Sequence, residues 1–199
     1  MAFEIELKAR ITDTKALKER LFLLGSFLNE FEKYDTYWIS EGQAPVTVRV
    51  RNEKIKTSDA LLEKTLVTYK NKEIINSTEV NRELEFSVSD AEAFAELLQL
   101  AGFLPVIKKE KIGWAWQITD RPELPGDNSP GSQPILAELS HVKKLGFFLE
   151  LEILTESRDD RTIAETQERL FSLLEKLGIE PDKIEERPYT SMLKEITDE

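Results

Sequence analysis

The sequence predicts an α+β protein: an antiparallel sheet of about eight strands, three main helices and a short C-terminal helix. Two observations carry this. Segments rich in β-branched and aromatic residues alternate charged and apolar positions with period two, the pattern of strands with two unlike faces. One unit also occurs three times: a strand with two glutamates flanking an apolar residue, a capped helix with an apolar stripe, then a glycine. The copies share little sequence identity, so the unit is a common topological plan and not a strict repeat.

The elements follow in order. "FEIELKARI" places Ile5 and Leu7 on one face and Glu4, Glu6 and Lys8 on the other. "TDTKALKERLFLLGSF" carries Leu17, Leu21, Leu24 and Leu28 at helical spacing, with Thr12 or Asp13 as cap. "KYDTYWI", "PVTVRVRN" and "LLEKTLVTYKN" read as strands, joined by polar hairpin connections over 52–61 and 71–79. "RELEF" sets Glu83 and Glu85 around Leu84. The helix after it is capped by Ser89 or Asp90, buries Phe94, Leu97 and Leu98, and stops at Gly102. "VIKKEKIGWAWQI" and "ILAELSHV" are strands separated by a loop over 120–134 that holds four Pro and two Gly. "FFLELEI" sets Glu150 and Glu152 around Leu151, and a helix follows with Ile163, Leu170, Leu174 and Leu177 as its stripe and Gly178 as its stop. A short helix lies near "SMLKEI". No domain boundary interrupts the chain, so a single domain is expected over residues 1–199.

Composition narrows the function. Among 199 residues the net charge is −11, which argues against nucleic acid and anionic membrane surfaces, since both are bound through Lys and Arg. No cysteine is present, which excludes disulfides, zinc–thiolate sites and cysteine nucleophiles. A single histidine, His141, rules out multi-histidine metal centres. Any metal must be held by carboxylates, which favours hard cations such as Mg²⁺, Mn²⁺ or Ca²⁺. No apolar leader and no membrane-length apolar run appears, so a cytoplasmic location is expected.

Strand parity gives the candidate site. Thr47, Arg49 and Arg51 share one face, as do Leu66, Thr68 and Lys70, and as do Lys109 and Lys111. Each strand therefore has an apolar and a charged face. An open sheet with its charged face in water satisfies this pattern. So does a closed barrel with the charged faces inside and the apolar faces under the helices. In a barrel, glutamates and bases would have to pair, or bind an ion or a charged ligand. Glutamates on some strands and Lys/Arg on others suit a divalent cation with a polyphosphate.

The E-I-E-L-K run at Glu4, Glu6 and Lys8, followed in order by "YDTYW", "VTVRVR", "TYK", "RELEF", "KKEK", "LGFFLELE" and "YTSML", resembles the CYTH superfamily of triphosphate tunnel metalloenzymes, most of all its class IV adenylyl cyclase branch. The resemblance covers nearly the whole chain. It implies an eight-stranded antiparallel β-barrel with outer helices, dependence on Mg²⁺ or Mn²⁺, and a triphosphate substrate: ATP, tripolyphosphate or thiamine triphosphate. The implied reaction is conversion of ATP to cyclic AMP and pyrophosphate; the alternatives are a triphosphatase and a non-catalytic polyphosphate-binding module. The resemblance implies metal ligation by Glu4, Glu6, Glu150 and Glu152. It implies phosphate binding by Lys8, Arg49, Arg51, Lys70, Lys109, Lys111 and Tyr189. It gives Glu83 and Glu85, with Lys8, the catalytic places. A monomer or homodimer is expected. The chain departs from the family pattern at Lys109 and Lys111, where K-x-R is frequent, at Ser140, where an acid is frequent, and at Ile39. His141 is expected at the surface or in packing, Trp114 and Trp116 under helices, and Arg82 on the outward parity.

Overall fold

The computed structural model describes residues 3–42, 45–120 and 133–197. Its strands are β1 (Phe3–Ile11), β2 (Ser26–Ser40), β3 (Thr47–Lys56), β4 (Leu61–Ile75), β5 (Thr78–Val88), β6 (Phe103–Ile118), β7 (Ile135–Val142) and β8 (Gly146–Thr155). They close into a barrel in the order β1-β5-β4-β3-β2-β6-β7-β8, with β8 returning to β1 and every pair antiparallel. The helices are α1 (Thr14–Leu24), α2 (Ala91–Leu100), α3 (Asp160–Lys176) and α4 (Tyr189–Thr197). The closed barrel, of the two arrangements that parity allows, is the one formed. Closure gives every strand two neighbours and fixes inside and outside along each strand.

Local chemistry sets the boundaries. Asp13, Asp90 and Asp159 cap the first three helices through their side chains, so aspartate is the cap in each of the three repeated units. The helix α1 ends at Leu24, and Leu28 belongs to β2, not to the helical stripe; Gly25 caps α1 and turns the chain into the barrel. A side chain at Gly25 would meet the Gln117 carbonyl oxygen at 2.7 Å, so only glycine lets the chain pass this close to β6. The hairpin connections are shorter than the sequence suggests. The strands run on to Lys56 and Ile75, and the second connection is only Asn76 and Ser77, both at positive φ as a tight two-residue turn requires. Charged residues in these stretches pair across strands instead of forming loops, as Lys54 does with Glu63 and Lys56 with Glu30.

Two cores cover the outside of the barrel. Ile5, Leu7, Leu149, Leu151, Ile153 and Trp116 pack beneath Leu17 and Leu21 of α1 and Ile163, Leu170, Leu173 and Leu174 of α3. Trp38, Val50 and Val67 pack beneath Leu98 of α2, with Phe94 half-buried beside them. Trp116 is fully buried and Trp114 packs against the same core, on the outward parity expected of both. Leu97 is 57% exposed, so the α2 stripe is narrower than the sequence pattern suggests. The apolar outer face is also not wholly covered: Leu62, Leu84 and Phe86 are each half exposed or more, because α2 reaches only part of the β3–β5 wall. Most of the proline-rich 120–134 loop lies outside the described residues. Its two ends are held by buried Arg169, which donates to Asp120 and to the Gln133 carbonyl.

Candidate active site

The inward faces of the barrel line one cavity of about 610 Å³. The glutamates of β1, β5 and β8, the basic residues of β1, β3, β4 and β6, and Tyr189 of α4 all contribute to its wall. Glu4, Glu6, Lys8, Arg49, Arg51, Lys70, Glu83, Glu85, Lys109, Lys111, Glu150 and Glu152 are therefore brought together as their parity requires. Arg82 has the opposite parity and is exposed. His141 is exposed too, its ring 4.9 Å from that of Phe147, as expected of a surface residue.

Strand register arranges the charges. Asp35 of β2 stands directly opposite Arg51 on β3 and Lys109 on β6. Its carboxylate, fully shielded from solvent, accepts two bonds from Arg51 at 2.7 and 3.0 Å and lies 3.1 Å from Lys109 Nζ. Burial alone would push the Asp35 pKa up, but Lys109 and Arg51 override it and hold the group well below the usual carboxylate range. One acid thus fixes two bases on different strands. Beside them, Glu138 of β7 accepts from Lys33 at 2.6 Å and from Lys111 at 2.8 Å. Lys111 also contacts Glu150. Arg49 donates to Thr68 and lies 3.5 Å from Glu85, yet its Nε is buried without a hydrogen-bond partner among the described residues. A buried guanidinium nitrogen without an acceptor fits an anionic ligand oxygen.

The acidic side is built differently. Glu6 stands directly opposite Glu152 on β8 and Glu79 on β5. Like charges in direct cross-strand register repel. Lys70 relieves part of this, at 2.9 Å from Glu4, 3.0 Å from Glu83 and 3.6 Å from Glu6. Burial pushes Glu4 up, but Lys70 and hydrogen bonding with Glu6 and Glu83 bring it down to about 2. Glu6 is pushed well up by burial and by Glu150, Glu79 and Glu4. Glu152 is raised to about 8 by burial and by Glu4 and Glu138. More carboxyl groups crowd here than the neighbouring bases can neutralise, and burial with mutual repulsion disfavours the ionised forms of Glu6 and Glu152. An all-oxygen, under-neutralised donor set fits a hard divalent cation. As the side chains stand, no three acidic groups among the described residues are disposed to hold a metal ion; Lys70 and Lys111 occupy their oxygens.

The helix α4 lies at one end of this cavity. The Tyr189 ring stacks edge-on to Phe148 at 5.0 Å and receives the ammonium groups of Lys8 at 4.6 Å and Lys109 at 4.9 Å. Its phenol pKa is driven well up by burial, then by Glu150 and Glu6. Lys8 also donates to the Arg187 carbonyl at 2.7 Å, tying β1 to the approach to α4.

Asp35, Glu138, Glu79, Lys33 and Glu53 also belong to this charged interior and were not singled out from the sequence. Parity was the available signal. Asp35 shares a face with Lys33 and Tyr37, and Glu79 lies in phase with Glu83 and Glu85. Glu138 is a lone acid among apolar residues in "ILAELSHV".

Comparison with known proteins agrees with this architecture. A structure of PH1819 from Pyrococcus horikoshii OT3 is similar over 97% of this chain and 99% of that one, at 24% identity and TM-score 0.76. A candidate adenylate cyclase from Vibrio parahaemolyticus is similar over 96% and 98%, at 17% identity and TM-score 0.69. HpAC1 from Hippeastrum, a candidate adenylyl cyclase described as revealing a dominant triphosphatase activity, is similar over 100% and 97%, at 10% identity and TM-score 0.57. These likenesses bear on the fold. No curated protein matches the sequence. No helix among the described residues is long and apolar enough to cross a membrane. The family model described as CYTH domain matches residues 2–189, and with an eight-stranded barrel whose charged interior is built on that ordered set of strands, the chain belongs to the CYTH domain family.

Proposed function

We propose that this protein is a metal-dependent enzyme acting on a triphosphate held inside the barrel. The observation that carries the reading is the facing of two unlike walls: Arg49, Arg51, Lys109 and Lys111 on β3 and β6, and the under-neutralised glutamates of β1 and β8. The basic wall binds phosphate oxygens, with Arg49 offering a free Nε and Arg51 and Lys109 held in place by Asp35. Glu4, Glu6, Glu150 and Glu152 would hold Mg²⁺ or Mn²⁺, which when bound supplies neutralisation of charge on the phosphate oxygens. Tyr189 and Lys8 pack against each other in the cavity wall, which would limit the approach of water there. Glu83 and Glu85, on β5 between β1 and β4, would orient a nucleophile.

The finer reading is cyclisation of ATP to cyclic AMP and pyrophosphate. It is favoured by a less polar stretch of the lining at Tyr37, Ile39, Val106 and Ile107, beside Arg49 and Lys109, which suits a nucleoside attached to the phosphates. Hydrolysis of tripolyphosphate or thiamine triphosphate needs only the charged part of the same cavity. Incubating the protein with each triphosphate and Mg²⁺ or Mn²⁺, then identifying products, separates these. Tight triphosphate binding with no product would instead make it a binding module.

A further inference from the structure

Among the described residues, Lys70 of the proposed phosphate set has its ammonium among proposed metal ligands of β1. Arg51 and Lys109 are held by Asp35, which lies outside the metal set, and Lys111 is shared between Glu138 and Glu150. Lys70, on β4, instead reaches Glu4 at 2.9 Å, Glu6 at 3.6 Å and Glu83 at 3.0 Å. Three carboxylates from two strands surround one ammonium. A divalent cation and this ammonium would compete for the same oxygens.

We propose that Lys70 is a built-in counter-ion of the metal site: a divalent cation displaces its ammonium from Glu4 and Glu6, and the released ammonium turns to the triphosphate. This deepens the proposed function and rests on it. Glu6 stands in register with Glu79 and Glu152; Lys8 lies 3.8 Å from Glu79, and Lys70 supplies the positive charge beside Glu6. Lysine suits that place. Its four-carbon stem is flexible, its head is compact, and the side chain is 25% exposed, which leaves room to swing. Thr68 and Arg49 lie on its other side along the cavity wall, so the released head moves towards the basic wall. Metal and triphosphate then assist each other, because the metal frees a phosphate ligand; by linkage the triphosphate must favour the metal by the same factor.

The experiment is calorimetric titration of the full chain with Mn²⁺, with and without a methylene-bridged, non-hydrolysable triphosphate, for wild type, Lys70→Met and Lys70→Arg. Without triphosphate, Lys70→Met should bind Mn²⁺ about tenfold more tightly than wild type, and Lys70→Arg should stay weak. The factor by which Mn²⁺ improves triphosphate binding should shrink about fivefold or more in Lys70→Met. Thermal melting gives a second reading: Mn²⁺ should raise the melting temperature of Lys70→Met more than that of wild type. If wild type binds Mn²⁺ and triphosphate but Lys70→Met binds Mn²⁺ no better, or gains no more from it in melting, the counter-ion role is overturned while the proposed function stands. If wild type binds neither Mn²⁺ nor the triphosphate, the proposed function falls and takes this inference with it.

Discussion

Replacing Asp35 with Asn tests whether one buried acid organises the phosphate-binding wall. The carboxylate is fully shielded, takes two short bonds from Arg51 and lies 3.1 Å from Lys109. Asparagine keeps the shape and one acceptor but removes the charge, leaving two buried cations facing a neutral amide. Breaking a buried ion pair by removing one partner costs about 3–5 kcal/mol. The retained acceptor places this change lower, at about 2–3 kcal/mol. For a chain of this size each kcal/mol shifts the melting temperature by roughly 2–4 °C, so the melt should fall by about 4–12 °C. Circular dichroism melts and urea titrations measure it. Added tripolyphosphate should recover most of the loss, because its oxygens replace the missing anion beside Arg51 and Lys109. A variant melting within 1 °C of wild type, or one that tripolyphosphate does not stabilise, would refute the reasoning.

Holding the ligand and activating it are separate jobs in this site. Lys109→Ala should weaken triphosphate binding by about 1.5–3 kcal/mol, the scale of a hydrogen bond to a charged group. Glu150→Gln with Glu152→Gln should spare most of that binding and lower turnover more; calorimetry beside a product assay reads both, and equal losses in both variants would contradict the division. Acid sensitivity follows from Glu185, whose carboxyl is lowered from 4.5 to about 2 by its bond to Arg187, against burial, and then by Arg10. A depressed carboxyl contributes stability that is complete above pH 4.5 and is lost as pH falls towards 2. Glu185→Gln should therefore destabilise the protein at pH 7 and bring its melting temperature close to wild type at pH 2, a convergence that melts across this range would reveal.

Much of the site was legible because period two assigns every second strand residue to one face, and barrel closure turns a shared face into a shared cavity. Glu4, Arg49, Lys109 and Glu150 could be grouped from parity alone, although parity did not choose between the barrel and an open sheet. Pairings across strands were not legible, since they depend on register. Nothing in "YDTYW" says that Asp35 will meet both Arg51 and Lys109, because that follows from β2 lying between β3 and β6. Glu79 was hidden inside a stretch that reads as a polar connection but continues β5. Leu28 matched the helical stripe by spacing, and only the Gly25 turn into β2 removes it. Lys70 was expected at a phosphate and is found among the glutamates, because its opposite partner on β5 is Glu83 and Glu4 lies one strand further on.

The most direct test is to follow ATP, tripolyphosphate and thiamine triphosphate by phosphorus NMR in the presence of the protein, with Mg²⁺, with Mn²⁺ and with a chelator. The account predicts that at least one triphosphate is consumed, that consumption stops on chelation, and that Glu6→Gln folds normally but loses metal-supported turnover. Tight binding of a non-hydrolysable triphosphate by a wild-type protein that converts none of the three with either metal would contradict it.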